Sequence, residues 1–215
     1  ETSRAELSDA PIPEGERALL EFDIAFDSDS AVWDFGAAAG GEDWASAHYE
    51  QTGRAHGRIS FAGETFEIDG FGWRDHSRGP RDLSNHMGHC WIHGVFEGGR
   101  SFALCTIRQR QGPGFAKAMI FEGGNLFEAT CAAPPYLEAT DWPGPGYAMT
   151  LDSALGPMLI EAELKTSLPH SSTSQYETYD GVVAQLARHV TYEQGTVFHW
   201  DGRAGQGHTE RSAVF

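Results

Sequence analysis

The stretch that best indicates the fold is residues 90–108, CWIHGVFEGGRSFALCTIR. Two apolar runs, Cys90–Phe96 and Ser101–Arg108, flank the sequence Glu-Gly-Gly-Arg at 97–100, which is typical of a hairpin turn. The same pattern follows downstream, where residues 117–121 and 125–130 flank Gly123-Gly124. Short strands at even spacing predict an all-β protein, built as an antiparallel barrel or sandwich.

Further strands are predicted on the N-terminal side of this hairpin. Residues 18–26 alternate acidic and apolar side chains, as a half-buried strand does. Residues 47–73 predict three more strands, with hairpin turns at Thr52-Gly53 and at residues 62–64. Because the only helix candidate covers residues 181–187, we expect helix in less than about a fifth of the chain.

Composition agrees with a β-rich domain and limits the partners. The 215 residues include 13 Phe, 6 Trp and 26 Gly, enough for a large core and many turns. We expect residues 1–44 to form a lead-in strand with a long loop and residues 45–215 to form the β domain. The net charge of −16 argues against a nucleic-acid or anionic-membrane surface. A neutral or apolar small molecule is the expected partner.

The cysteines and the hydropathy pattern indicate in which cellular compartment the protein lies. Cys90, Cys105 and Cys131 are odd in number and lack CxxC spacing, which favours free thiols in a reducing environment. No apolar run approaches the roughly 20 residues of a membrane span, and no signal peptide is visible. We therefore expect a cytoplasmic protein. Whether it forms a homodimer, and whether a further N-terminal domain precedes Glu1, stays open.

Ionisable residues concentrate in the segment 70–82, GFGWRDHSRGPRD. If the segment is extended, Phe71, Trp73 and Asp75 share one face, and Gly70, Gly72, Arg74 and His76 share the other. Such groups are costly to bury unless they are paired. The segment is therefore either a functional polar network or a structural arginine–carboxylate pair that holds a turn, and the residue pattern leaves both readings open.

The residue types favour general acid–base chemistry over the alternatives. A Gly-x-Ser-x-Gly elbow and a glycine-rich phosphate loop are both absent from the sequence. Asp75 and His76, with Tyr49 and His89 as further candidates, can exchange protons near neutral pH in a partly apolar environment. We take these four residues as the candidate catalytic groups.

The histidines at 86, 89 and 93 raise the question of a metal. On a strand, His89 and His93 lie about 13 Å apart, too far to share one ion. We therefore expect no metal and no cofactor, although a site built from His86, His89 and Asp82 across the turn stays open. The same spacing places His89, Trp91 and His93 in a row on one face, and we expect this row to line a barrel interior.

Several of these motifs together resemble a known family. The sequence resembles the lipocalin-like superfamily of carotenoid 1,2-hydratases, kievitone-type hydratases and AttH-like proteins. The resemblance rests on the run at 70–82, on HYEQ at 48–51 and GRAHG at 53–57 before it, and on WDG at 200–202 and GHTER at 207–211 after it. The resemblance covers roughly residues 45–215, and its specific motif is Arg-Asp-His-Ser at 74–77. It implies a lipocalin-like barrel, which would be the C-terminal half of a two-barrel protein. Arg78 stands where the family often has Trp.

The resemblance also implies a reaction class. Such proteins hydrate, dehydrate or cyclise apolar substrates without a cofactor, so we expect a lyase, hydratase or isomerase that acts on a terpenoid or aromatic compound. Asp75 or His76 would move the proton. The candidate substrate-binding residues are Phe71, Trp73, Arg78, Trp91 and His93. The alternative is a protein of the same shape that binds a hydrophobic ligand without chemistry, since a fold alone does not confer function.

Overall fold

The computed structural model describes residues 18–28, 30–34, 47–78, 85–138, 144–174 and 187–214. Within these ranges the chain forms antiparallel strands and no helix, and strands make up 77% of the residues. The predicted all-β fold is therefore confirmed. The helix candidate at 181–187 lies outside the described residues except for Ala187, which begins a strand.

The strands are named here in chain order. They are β1 Leu20–Asp27, β2 Trp33–Asp34, β3 Ala47–Phe61, β4 Glu64–Arg78, β5 His86–Phe96, β6 Ser101–Gln109, β7 Phe115–Glu122, β8 Asn125–Cys131, β9 Gly146–Ser153, β10 Gly156–Leu164, β11 Leu168–Ser174, β12 Ala187–Trp200 and β13 Arg203–Val214. None of the described residues forms a helix long and apolar enough to cross a membrane.

The strands fall into two compact units, one within residues 14–83 and one within residues 84–215. The first unit contains β1–β4 and the second contains β5–β13. The division expected from the sequence, at residue 45, stays a prediction. The three cysteines, all in the second unit, are free thiols, as expected.

The second unit is a closed barrel. Its strands pair in the order β10-β9-β8-β7-β6-β5-β13-β12, and β12 then pairs back to β10 through Glu161–Leu164, which closes a ring of eight strands. The N-terminal half of β12 pairs with β11 instead. Of the two expected architectures, the structure therefore has the barrel.

Alternation along the strands directs apolar side chains into the barrel interior. Cys90 and Ile92 of β5 point inward, as do residues of every strand from β6 to β10 and of β12. The buried side chains of this core are Cys90, Ile92, Phe96, Phe102, Leu104, Ala118, Ile120, Ala129, Met149, Leu151, Ile160, Ala162, Phe198 and Trp200. The clearest predicted hairpin, residues 90–108, forms the adjacent barrel strands β5 and β6.

The first unit is a sheet built around β3. Along its 15 residues β3 pairs with β4 on one side, from Ala47 opposite Arg78 to Phe61 opposite Glu64. Its other side pairs with β1 and, near Glu50, with the two-residue β2. The predicted strand at 18–26 and the predicted turn at 62–64 are thus confirmed.

The predicted turn at Thr52-Gly53 is wrong, because β3 runs through both residues. The reason lies in the neighbours of Gly53 rather than in turn geometry. A Cβ atom at Gly53 would lie 2.4 Å from the Asp27 carbonyl oxygen and 2.7 Å from the Phe26 ring. Glycine inside a strand pattern therefore marks a close approach here. The arginine-rich segment is likewise extended as far as Arg78, and residues 79–82 lie outside the described residues.

Two glycines of β4 give a matched test of this explanation. A Cβ atom at Gly72 would lie 2.9 Å from the Phe26 ring, whereas one at Gly70 would meet no described residue within 4 Å. We expect Gly72→Ala to lower the free energy of unfolding by about 1 kcal/mol, because the ring must shift. Gly70→Ala should be neutral or stabilising by up to about 1 kcal/mol, because alanine costs less backbone entropy than glycine.

Urea unfolding of the two variants beside the wild type measures both effects. Equal changes in the two variants would show that the Phe26 ring does not determine the requirement for glycine.

Candidate functional site

The register of β3 and β4 brings the polar residues of two motifs together. Glu50 lies opposite Asp75, and His48 lies opposite Ser77. Successive side chains of a strand point to opposite faces of its sheet. The side chains of His48, Glu50, Trp73 and Asp75 therefore share one face. His48 and Glu50 are buried, at 4% and 0% exposure. We call these four side chains the Glu50 cluster.

One histidine nitrogen lies between the two carboxyl groups of this cluster. His48 Nε2 is 3.2 Å from Glu50 Oε1 and 3.6 Å from Asp75 Oδ2. The other oxygen of Glu50, Oε2, accepts a hydrogen bond of 2.9 Å from Trp73 Nε1. The Asp75 side chain is 22% exposed, so it is the member of the carboxyl pair that meets the surface.

Burial changes the proton affinity of Glu50. Desolvation raises the pKa of this carboxyl above its ordinary value, and the negative charge of Asp75 adds to the rise. The contact with His48 and the hydrogen bond from the Trp73 indole oppose this rise in pKa but do not cancel it. Because Oε2 accepts the indole N–H, the proton of the neutral acid belongs on Oε1, which faces His48. Between the ordinary and the raised pKa, Glu50 therefore keeps a proton next to Asp75 that an exposed glutamate would release.

The structure separates the candidate catalytic residues that the sequence grouped together. Asp75 belongs to the Glu50 cluster, but Tyr49 and His76 lie on the opposite face of the same two strands. There the His76 ring stacks on Tyr49 with centroids 4.9 Å apart, and Arg74 donates to the Tyr49 hydroxyl. His89 lies in the other unit. These four residues do not form one site within either unit.

The candidate substrate-binding residues divide in the same way. Phe71 and Trp73 share the face of Asp75, whereas Arg78 lies on the face of His76. Trp91 and His93 belong to β5 of the barrel unit. The expectation that His89, Trp91 and His93 line the barrel interior is wrong, because Cys90 and Ile92 occupy the inward positions and the intervening residues point outward. Burial lowers the pKa of His93 to about 3.

His89 is held by residues from the far end of the chain. Its Nε2 is 2.6 Å from Glu210 Oε1, and its Nδ1 is 2.6 Å from Ser212 Oγ. A carboxylate oxygen only accepts, so the ring proton belongs on Nε2 and Nδ1 accepts from the Ser212 hydroxyl. His86 and His189 lie beside this pair, and one nitrogen of each of the three histidines falls within 4.8 Å of the others.

His86 is the most buried of these three histidines, with 8% exposure. Burial, helped by the neighbouring His89 and His189, lowers its pKa to about 3, so the ring is neutral at physiological pH. Among the described residues its Nε2 has only long contacts, 3.4 Å to Ser212 Oγ and 3.5 Å to His89 Nδ1. We call His86, His89 and His189 the histidine cluster.

A buried arginine inside the barrel was not foreseen. Arg211 is 4% exposed and donates two hydrogen bonds to Gln194 Oε1 and one to the Pro135 carbonyl oxygen, while its guanidinium lies over the Tyr147 ring. Gln194, Pro135 and Tyr147 are neutral, and Arg211 forms no ion pair with a carboxylate among the described residues. Burial lowers the pKa of Arg211, in agreement with a charge that lacks an anionic partner.

Sequence reasoning missed Glu50 and His48 as members of the site, although the motif at 48–51 had been noticed. The available signal was the alternation of His48, Glu50 and Thr52 with more exposed residues, which predicts a polar row on one face of a strand. Pairing that row with Asp75 requires the β3–β4 register. Glu210, Ser212 and His189 are more than 100 residues from His86, so no local pattern connects them.

A family model described as a domain of unknown function, DUF7064, matches residues 4–214, so the chain belongs to this family. A search of curated proteins finds no significant sequence match.

Two solved structures share the fold. An AttH-like protein of Nitrosomonas europaea has a TM-score of 0.55 and 17% identity, over 87% of this chain and 60% of that one. Kievitone hydratase of Nectria haematococca has a TM-score of 0.52 and 13% identity, over 91% of this chain and 61% of that one. The lipocalin-like resemblance is thereby confirmed for the fold. This chain spans about three-fifths of the length of each relative.

The raised pKa of Glu50 predicts a dependence of stability on pH. Between the ordinary value of 4.5 and the raised value, the folded protein keeps a proton that the unfolded chain has released. The free energy of unfolding therefore falls as pH rises through this window. Above the raised pKa it falls no further on account of Glu50. Glu50→Gln has no such proton, so we expect it to remove this fall and to be more stable than the wild type at neutral pH.

Urea unfolding at several pH values from about 4 to 8 tests this, with Glu67→Gln as the control because Glu67 is an exposed residue of the neighbouring strand. A Glu50→Gln variant less stable than the wild type throughout would show instead that Glu50 is ionised and held by His48.

Proposed function

We propose that this member of the DUF7064 family is a cofactor-independent hydro-lyase or hydratase that acts on a hydrophobic small molecule in the cytoplasm. The observation that supports the reaction class is the position of His48 Nε2 between the carboxyl groups of Glu50 and Asp75. Two carboxyl groups in different environments that share a histidine are suited to general acid–base catalysis.

Each member of the Glu50 cluster has a distinct role in this proposal. Asp75 is the catalytic residue, because its side chain is partly exposed and can touch a substrate. His48 and Glu50 are positioning residues that act through it. Glu50 holds a proton because burial raises its pKa, and His48 can pass that proton to Asp75. Trp73 fixes the Glu50 carboxyl through the indole hydrogen bond.

The reaction needs only proton transfers. In dehydration, protonated Asp75 gives its proton to the leaving hydroxyl group, the C–O bond breaks, and water departs. The Asp75 carboxylate then takes a proton from the adjacent carbon, and the C=C bond forms. Hydration is the reverse sequence. Protons and electrons balance without an oxidant or reductant, because Asp75 regains from the carbon the proton that it gave to the hydroxyl group. The His48–Glu50 pair holds Asp75 in the protonated state in which each turnover begins.

The surroundings of Asp75 favour an apolar substrate. Trp73 and Phe71 precede it on the same face of β4, and Trp33 of β2 lies opposite Glu50. The net charge of −16 disfavours an anionic polymer as the substrate. Kievitone hydratase, whose fold this chain shares, is a hydratase by name, which agrees with the proposed reaction class.

The central test is the loss of turnover in variants of the cluster. We expect Asp75→Asn to lower turnover at least about 100-fold, because general acid–base groups typically contribute 10²- to 10⁴-fold. Glu50→Gln and His48→Gln should also lower it and should alter the pH profile, since they change proton supply rather than substrate contact. Turnover is measured as uptake of labelled water oxygen by kievitone and by a panel of apolar terpenoid and aromatic alkenes, with Glu67→Gln as the control.

Two outcomes would contradict the proposal. If Asp75→Asn melts much earlier yet turns over normally when folded, the residue only holds the sheet, and the loss should appear as stability on the order of 3 kcal/mol. If His76→Gln or Tyr49→Phe abolishes turnover while the Glu50 cluster variants do not, the chemistry lies on the opposite face.

A second candidate function rests on Arg211. A guanidinium buried in a barrel without a carboxylate partner among the described residues is suited to the carboxylate of an apolar ligand, which would pair with it. In this alternative the barrel binds a hydrophobic acid and performs no chemistry. The charged hydrogen bond would provide affinity, and the apolar core would contact the ligand tail.

This alternative is tested with a fluorescent fatty acid and its methyl ester. We expect Arg211→Met to weaken binding of the acid about 10- to 100-fold, as loss of a charged hydrogen bond does, and to leave binding of the ester unchanged. Arg203→Met is the control, because Arg203 is an exposed residue of the same strand. Equal binding of the acid by wild type and Arg211→Met would exclude this role.

A further inference from the structure

The histidine cluster is the second group of chemically active side chains in the described structure, and the proposed reaction does not use it. His86 and His89 come from β5, and His189 comes from β12, with β13 between the two strands. One ligand atom of each histidine lies within 4.8 Å of the others. We propose that these three histidines bind one divalent transition-metal ion, with Zn²⁺ as the fitting ion.

The distances agree with ligands of a single ion. Two nitrogens that bind zinc tetrahedrally at 2.0–2.1 Å are about 3.4 Å apart. His86 Nε2 and His89 Nδ1 are 3.5 Å apart, which is long for a hydrogen bond but fits two ligands of one metal. His189 needs only a small movement to complete the set, since its ligand atom is already within 4.8 Å.

The residue behind His89 supports the same conclusion. Glu210 accepts from His89 Nε2 at 2.6 Å, which leaves the lone pair of Nδ1 directed toward the cluster. A carboxylate that fixes the tautomer of a ligating histidine in this way is a regular feature of metal sites. Ser212 Oγ, now 2.6 Å from Nδ1, would give up that hydrogen bond and could hold a metal-bound water at the fourth position.

The polar atoms of His86 supply an independent argument. His86 is buried, its Nδ1 has no hydrogen-bond partner among the described residues, and its Nε2 has only contacts of 3.4 and 3.5 Å. Buried polar groups are usually satisfied by good hydrogen bonds. An ion at Nε2 would replace these two long contacts with a bond.

The proposed zinc site differs from the prediction, made from the spacing of the histidines in the sequence, that no metal is bound. That expectation used the separation of His89 and His93 along one strand. The third ligand is instead His189, which arrives from another strand. The inference does not rest on the proposed function, because the histidine cluster contains neither Asp75 nor Glu50.

The test uses untagged protein stripped with EDTA and titrated with Zn²⁺ against a competing chelator dye. We expect one equivalent of zinc per chain. His86→Gln and His189→Gln should each weaken zinc binding more than about 100-fold, because each removes a ligand. Glu210→Gln should weaken it about 10- to 100-fold, because it removes the carboxylate that orients the ligand His89. His199→Gln is the matched control, because His199 lies on the same strand as His189 with a half-exposed side chain. It should bind zinc as the wild type does.

A measurement on the wild type removes the dependence on variant folding. In ¹⁵N spectra of the imidazoles, Zn²⁺ should shift the signals of three histidines that Co²⁺ also broadens, and His199 should not be among them. Absence of one bound equivalent, unchanged binding in the folded His86 and His189 variants, or equal loss in His199→Gln would each overturn the proposal. Turnover at Asp75 should survive zinc removal where the stripped protein is folded, so failure of either proposal is distinguishable from failure of the other.

Discussion

The pairing of β10 with β12 is the constraint on which the barrel unit depends. Only the four residue pairs from Glu161 opposite His199 to Leu164 opposite Thr196 convert a long open sheet into a closed ring. Closure satisfies the backbone groups of two edges and encloses the apolar core, so the inward and outward positions of every strand are determined together. The outward direction of His89 and Glu210 and the inward direction of Arg211 agree with this closed ring. A shift of β12 by one residue would exchange the inward and outward side chains of that strand, such as Phe198 and His199.

In the first unit the corresponding constraint is the register of β3 and β4. Fifteen consecutive pairs leave no freedom in which side chain of one strand meets which of the other. Glu50 lies opposite Asp75 because of this register, although two carboxyl groups on opposite residues repel each other when both are charged. His48 between them and the neutral form of Glu50 relieve that repulsion. The opposite positions of the two carboxyl groups are thus more favourable when Glu50 carries a proton.

The sequence predicted strands and turns correctly where the alternation of apolar residues and the position of glycine indicated the same structure. The hairpin at 90–108 and the turn at 62–64 were identified because apolar alternation and glycine agree there. The turn at Thr52-Gly53 was wrong, since a glycine that admits the Phe26 ring looks the same in sequence as a glycine in a turn. Of the candidate site, the sequence identified Asp75 and Trp73. It could not supply Glu50 as their partner, because cross-strand contacts depend on a register that composition does not encode.

The two polar clusters use the same pair of residue types with different consequences. In each, a glutamate contacts a histidine that in turn faces a further polar group: Glu50, His48 and Asp75 in one, and Glu210, His89 and Ser212 in the other. Glu50 is fully buried, so desolvation raises its pKa and favours its protonated form. The Glu210 side chain is 19% exposed, so water can reach it. In the two proposals, this difference in burial is the reason that the pair of Glu50 with His48 transfers a proton, whereas the pair of Glu210 with His89 orients a lone pair.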